Sequence, residues 1–362
     1  MAHRLTSLYN VFAARVAAAV ALALVASLHP TAQAPEALSP CELTAADRIV
    51  AIGDVHGAYE PFLAILREAG LIDKNRHWTG GKATFVQTGD VLDRGPDSKR
   101  VLDLLRNLEG EAAKAGGQVL ALVGNHEVMR MVGDMRYISA KEYSAFASPD
   151  ARDLREGLYK SAVDSAKADA KTAGQRFDES AFSKLFYAQT PLGLVEMQRA
   201  FAKDGDHGKR LRTKPLFIRL NGIVFVHGGF TPPIAEVGCV PLTTRARLEL
   251  QAAAIGMAPK LELLSREDGP LWYRGLADDT ATEARVTAAL AGLGAKAIVM
   301  GHTPTTDNKI QMQFGGRAIT IDTGMLNGEF YPNGVPSALE IKDGIASAIY
   351  IGRREPLGPI GK

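Results

Sequence analysis

Five short apolar runs in this 362-residue chain each end on a side chain able to bind a metal. They are Arg48–Asp54 (RIVAIGD), Ala83–Asp90 (ATFVQTGD), Gln118–Asn125 (QVLALVGN), Gly222–His227 (GIVFVH) and Lys296–His302 (KAIVMGH). They deliver Asp54, Asp90, Asn125, His227 and His302, and His56 follows Asp54 by two positions. Two Asp, one Asn and three His form a mixed oxygen and imidazole set, suited to borderline divalent metals such as Mn, Fe or Zn. Six side chains can hold two metals if one carboxylate bridges, and Asp90 is assigned the bridge. Two metals so placed clamp the attacking and leaving oxygens of an in-line displacement and activate a water between them. A lone Asp after a strand usually caps a turn, and a lone His is usually an ordinary packed group. Six such residues at five run ends are not explained that way.

The elements that must position these groups follow from the same runs. Short, β-branched, continuous apolar stretches read as buried strands, and Arg317–Asp322 (RAITID) has the same look. Pro61–Ala69 places Phe62, Leu63, Leu66 and Ala69 on one helical face, and Asp97 reads as the cap of a helix carrying Val101, Leu102, Leu104, Leu105 and Leu108. Strand–helix alternation predicts an α/β fold, in which ligands bind beyond the carboxyl ends of the strands. Residues 137–211 differ. They are rich in Ala, Lys, Asp and Glu, with helix-like stretches at Lys160–Thr172 and Ser180–Phe186. They are expected to be a mostly helical insertion. Because it follows a ligand-bearing strand, the insertion is expected to cover the site and select substrates.

The blocks around the candidate ligands are more specific than the ligands alone. Gly53–Gly57 is GDVHG, Gly89–Gly95 is GDVLDRG, Gly124–Glu127 is GNHE, Val226–Gly229 is VHGG, and Gly301-His302 precedes Thr303-Pro304. In order and spacing, over about residues 48–325, the chain resembles the calcineurin-like metallophosphoesterases, within them the PPP-type phosphatases, and most of all the Shewanella-like group. The resemblance implies a β-sandwich flanked by helices, spanning residues 48–362, with the insertion at 137–211. It implies that Asp54, His56 and His302 hold one metal and Asn125 and His227 the other, with Asp90 shared. It makes Mn the first choice of metal. It gives His126 the role of general acid, Asp93 that of its orienting partner, and Arg94 and Asn125 contacts to the phosphoryl group. Arg274, in the block Gly269–Gly275 (GPLWYRG), matches a second phosphate-binding arginine. The chain departs from the eukaryotic PPP pattern: Val123 precedes GNHE, and Ile321-Asp322-Thr323-Gly324 stands where a toxin-contacting loop would be. No obligate regulatory subunit is therefore expected. Asp322 is expected to cap a turn and not to be a further ligand.

Residues 1–34 read as a secretory signal: Arg4 and Arg15 precede and enter an apolar run from Val16 to Leu28, and Ala32-Gln33-Ala34 fits a cleavage site. Residues 35–47 read as a Pro/Ala-rich leader. The expected location is periplasmic or secreted, with no other membrane association. The formal net charge is +2; removing Arg4 and Arg15 with the signal leaves the charges balanced. A neutral chain has no electrostatic reason to bind nucleic acid. Cys41 and Cys239 are the only cysteines. They could pair in an exported protein; two separate buried thiols are the favoured reading. The expected function is an exported phosphoprotein phosphatase acting on phosphotyrosine or phosphoserine/threonine. A diadenosine-tetraphosphate hydrolase is the enzyme alternative, and a metal-stabilised binding protein with a degenerate site the non-enzyme one. Arg94 after Asp93 and Glu127 after His126 favour the phosphatase.

Overall fold

The computed structural model describes residues 41–45, 48–256, 261–328 and 330–361. The expected signal segment, 1–34, lies outside the described residues, as does most of the leader.

Each ligand-ended run is a strand. They are β2 (Arg48–Ile52), β3 (Thr84–Gln87), β4 (Gln118–Ala121), β6 (Ile223–Val226) and β7 (Ala297–Met300), and RAITID contributes β9 (Ala318–Thr320). Parallel ladders join β2 to β3 and β3 to β4 in one sheet, and β6 to β7 and β7 to β9 in the other. Six further strands complete the sheets: β1 (Glu42–Leu43), β5 (Phe217–Leu220), β8 (Gln311–Gln313), β10 (Ser337–Lys342), β11 (Ile345–Tyr350) and β12 (Arg353–Pro359). The strand orders are β1-β5-β6-β7-β9-β8 and β12-β11-β10-β2-β3-β4.

Alternation along the strands builds the sandwich. Ile49, Ala51 and Val86 of one sheet share a buried cluster with Ile218, Phe225, Val299 and Ile319 of the other. The alternate residues of the first sheet, Val50, Ile52 and Phe85, face outward into a second cluster. Helices cover that side: α1 (Tyr59–Glu68) and α2 (Ser98–Lys114) bring Phe62, Leu66, Val101 and Leu105 to it. At about 25 cal/mol per Å² of apolar surface, each such fully buried side chain contributes about 1.5–3 kcal/mol. Asp97 does precede α2, but its carboxylate makes no capping hydrogen bond; it accepts from Arg100 Nη1 at 3.2 Å instead.

After β4, α3 (Asn125–Val132) carries the GNHE block. Residues 137–211 then fold into α4 (Ala140–Ser144), α5 (Ala151–Thr172), α6 (Glu179–Gln189), α7 (Leu194–Phe201) and α8 (Asp206–Leu211). Leu158, Ala162, Phe186 and Val195 give these helices a small core of their own. The remaining helices among the described residues are α9 (Pro232–Glu236), α10 (Cys239–Ala252) and α11 (Glu283–Leu293).

One expectation about the start of the chain needs correction: Cys41 and Cys239 are not separate thiols but form a disulfide. The segment just after Cys41, within the expected leader, pairs with a sheet edge. Glu42–Leu43 adds β1 to the edge of β5, and Arg219 N donates to Cys41 O at 2.9 Å. The bridge ties this edge strand to the first residue of α10.

Candidate metal centre and active site

The carboxyl ends of β2, β3, β4, β6 and β7 meet at one edge of the sandwich, where both sheets contribute loops. Asp54, His56, Asp90, Asn125, His227 and His302 are all buried there. The loops fit only because of what is missing from them. A Cβ on Gly89, whose φ is +98°, would lie 2.5 Å from Gly124 N. Five site residues hold left-handed backbone: His56, Asp90, Asp93, Arg94 and His302, with φ from 47° to 69°. Such conformations cost about 1–3 kcal/mol each and persist only where surrounding structure enforces them. Here Val55 N and His56 N both donate to Asp90 O at 2.9 Å, and Arg94 N donates to Tyr137 O at 2.7 Å.

Asp90 is the hub. Its Oδ2 lies 3.2 Å from His227 Nε2, 3.7 Å from His56 Nε2 and 3.8 Å from His126 Nε2. Its Oδ1 accepts from His126 N at 3.0 Å. Asp54 Oδ2 is 3.6 Å from His56 Nε2, and its Oδ1 accepts from His302 N at 2.9 Å. Asn125 Oδ1 is 2.8 Å from His227 Nε2. Ligand atoms of Asp90, His227 and His302 lie within 4.8 Å of one another. His302 thus lies beside His227 as well as beside Asp54.

The donor set fits divalent cations. His56 Nδ1 and His227 Nδ1 donate to the carbonyls of Leu92 (2.9 Å) and Thr88 (3.1 Å), which turns each Nε2 into the site. His302 Nε2 is buried without a partner, a nitrogen left for a cation. Burial opposes a charge on His227, but Asp90 and Asp54 outweigh it and push the imidazole up to about 9. Asp90 is held well below the usual carboxylate range: burial opposes its charge, but the surrounding imidazoles outweigh that. Burial, with His227 and Arg274 beside it, brings His302 down to about 3.

His126, at the first turn of α3, points its Nδ1 at Asp93 Oδ2, 2.7 Å away. Burial disfavours the imidazolium, but Asp90 and Asp93 hold it above the ordinary range. Arg94 Nη1 donates to His56 Nε2 at 2.8 Å, so the arginine and a cation compete for that lone pair. Its guanidinium carbon lies 5.2 Å from the ring centre of Tyr331 and 5.7 Å from those of Tyr137 and Phe330. Arg274 Nη1 reaches His302 O at 2.5 Å. Both arginines line a cavity of about 160 Å³ with Asp54, Asp90, His302 and Tyr331.

Two more buried acids, Glu127 and Asp322, complete the site. Glu127, the last residue of GNHE, accepts from the backbone amides of Gly124 (2.7 Å), Asp90 (2.8 Å), Val91 (3.0 Å) and Leu92 (3.3 Å). It fastens the loop after β3 to the helix after β4. Burial and the neighbouring Asp90 push its carboxyl up to about 7 against those amides. Asp322 does cap a turn, accepting from Gly324 N at 3.0 Å. Its other oxygen is buried without a partner, and burial, with Asp54 nearby, raises its carboxyl well above the usual range.

Residues 47–306 match the family described as calcineurin-like phosphoesterase. The chain belongs to the calcineurin-like phosphoesterase family. It is 33% identical to Shewanella-like protein phosphatase 2 of Arabidopsis thaliana over 305 residues, covering 82% of this chain and 75% of that one. It is 28% identical to Shewanella-like protein phosphatase 1 of Plasmodium berghei over 303 residues, covering 82% and 72%. Among solved structures, the cold-active protein-tyrosine phosphatase of a psychrophile Shewanella sp. superposes with a TM-score of 0.66 at 25% identity. That alignment covers 92% of this chain and 87% of the other. The family, together with its protein-phosphatase relatives, makes the protein a phosphatase, a phosphoric monoester hydrolase. It also accounts for the buried His and Asp groups as holders of divalent metals.

Proposed function

We propose that this phosphatase hydrolyses phosphotyrosine in proteins or peptides. The observation that carries the reading is the setting of Arg94. One guanidinium at the mouth of the cavity is ringed by Tyr137, Phe330 and Tyr331. The arginine suits a phosphoryl group. The three rings suit an aromatic leaving group, which a serine side chain does not supply. The protein-tyrosine phosphatase with a similar fold supports phosphotyrosine, and the two Shewanella-like protein phosphatases support a protein substrate.

In this account Asp54, His56, Asp90, Asn125, His227 and His302 hold two divalent metals, with manganese the first candidate. Such metals, when bound, supply Lewis acidity and a water nucleophile at neutral pH. Arg94 and Arg274 hold the phosphoryl oxygens and draw the phosphorus toward Asp90. As the new P–O bond forms, the bond to the leaving oxygen breaks, and that oxygen takes the proton from His126 Nε2. Asp93 fixes the ring through Nδ1 and favours its charged form before transfer. No covalent link to the protein forms. Tyr137, the first residue of the insertion, tilts against His126 with ring centres 5.2 Å apart, so the insertion supplies one wall of the substrate site.

We further infer export. A disulfide between the only two cysteines suits an oxidising compartment, and the N-terminal sequence has a signal's pattern. Among the described residues no helix is long and apolar enough to cross a membrane. The test of substrate is a panel of phosphotyrosine peptide, phosphoserine peptide and diadenosine tetraphosphate, assayed with manganese. The expected order puts phosphotyrosine first in kcat/KM, by about tenfold or more over phosphoserine. Fastest cleavage of the dinucleotide would overturn the proposal.

A further inference from the structure

The sequence reading left Arg130 and Glu142 without a role, yet both are buried beside the proposed acid. Arg130 follows His126 by four residues on α3, so the two share a helix face. Both meet Asp93. His126 Nδ1 pairs with Asp93 Oδ2 at 2.7 Å, and Arg130 Nη2 donates to Asp93 Oδ1. The same Nη2 donates to Glu142 Oε1 at 2.9 Å. Glu142 lies on α4, in the insertion. Asp93 and Glu142 are each 0% exposed, His126 1% and Arg130 2%. The insertion grips the guanidinium a second time through α7: Nη1 donates to Met197 Sδ at 3.1 Å, and the Phe201 ring centre is 5.0 Å from Cζ. Ser139 caps α4 through Glu142 N at 3.3 Å and donates to Gly95 O at 3.2 Å, which locks this end of the insertion to the Asp93–Arg94 loop.

We propose that Glu142 is a positioning residue for the general acid, acting through Arg130 and Asp93. The proposal rests on His126 being that acid. Asp93 is held between two donors, one on each oxygen, and its tilt decides where the imidazole points. Arg130 divides its charge between Asp93 and Glu142. Without the second carboxylate the whole cation falls on Asp93 and draws it off His126, and the ring that must reach the leaving oxygen loses its fixed aim. Interactions among charges this deeply buried are strong enough for this, since little solvent screens them. The insertion is then more than a substrate wall, because one of its side chains sets the geometry of proton delivery.

The experiment compares phenyl phosphate with p-nitrophenyl phosphate, whose leaving group needs less protonation, in metal-loaded wild type, Glu142→Gln, Arg130→Lys and His126→Asn. Glu142→Gln keeps the shape and removes the charge. Arg130→Lys keeps the charge but removes the planar fork. Both variants should lower kcat on phenyl phosphate by roughly tenfold or more, part of the 10²–10⁴ an acid supplies. They should lose a clearly smaller factor on p-nitrophenyl phosphate, with KM and bound metal unchanged. If His126→Asn shows the selective loss and Glu142→Gln loses both substrates equally or neither, the positioning role is wrong. If His126→Asn itself loses both equally, the acid assignment fails, and this inference with it. Should Glu142→Gln not fold, Arg130→Lys decides by the same ratio, and Glu142→Asp, which keeps the charge, must retain part of the kcat on phenyl phosphate.

Discussion

Replacing Gly124 by alanine should disable the site while leaving the fold intact. Gly124 precedes α3 with φ −100° and ψ −179°, a conformation any residue adopts, so backbone strain is no obstacle. Its Cβ would run into Asp90 Oδ1 and sit 2.5 Å from Asp90 N. Both are rigid parts of the proposed bridging residue. Ordinary van der Waals contact begins near 3.4 Å, so the carboxylate must retreat by about 1 Å, and a misplacement of that size costs about 10²-fold in rate. The cost to folding is bearable. Alanine for glycine at an N-cap is worth about 1 kcal/mol, and overpacking against Asp90 adds about 1–3 kcal/mol, against a total stability of about 5–15 kcal/mol. Glu127 keeps its hydrogen bond to the amide of residue 124. Gly110→Ala is the control. It lies within α2, its Cβ meets nothing within 4 Å, and it should stabilise the helix by about 0.5–1 kcal/mol without touching activity. The assays are kcat, metal per chain and thermal midpoint. Wild-type kcat with a full metal complement in Gly124→Ala would refute the placement of Asp90 at the centre.

Metal uptake should depend on pH through His227. Its imidazole is pushed up to about 9 in the metal-free protein, so below that pH a proton must leave before Nε2 can bind a cation. Apparent affinity should rise about tenfold per pH unit up to about 9 and then level, and titration calorimetry in buffers of different ionisation enthalpy counts the released proton. A flat affinity between pH 6 and pH 8 would contradict this. The Cys41–Cys239 bridge closes a sequence separation of 198 residues. The double change Cys41→Ser, Cys239→Ser should cost about 2–5 kcal/mol in chemical denaturation and leave kcat alone; an unchanged midpoint would show that the bridge stabilises nothing.

What the sequence disclosed, and what it withheld, has a physical pattern. Strands β2, β3, β4, β6, β7 and β9 were legible because parallel strands buried on both faces read as continuous apolar runs, and most of them end on a side chain that had to be chemical. Strands β10 and β11 carry small and polar residues such as Ser337, Ser347 and Ala348 and end on nothing catalytic. Strand β1 is two residues long and takes its meaning from β5 beside it. The candidate ligands were legible for the same reason as their strands. Which imidazole faces which carboxylate was not, because that depends on how the two sheets stack. Glu127 was visible as a motif letter, but its work as an acceptor for four amides is a property of the folded loops. Arg130 looks like a solvent-facing arginine on a short helix; only the packing of α4 and α7 buries it. The pairing of Cys41 with Cys239 could not be read from spacing, since nothing in a long separation says whether the ends meet.

The central claim is that two divalent metals, joined through Asp90, perform the hydrolysis. Elemental analysis of active protein, alongside Asp90→Asn purified in the same way, tests it most directly. The account predicts about two transition-metal ions per wild-type chain, with activity lost to a chelator and restored by manganese. It predicts a folded Asp90→Asn protein that retains neither its metals nor more than a trace of turnover. Wild-type protein that turns over fully with no bound metal would contradict it, and so would an Asp90→Asn variant that keeps both metals and its activity.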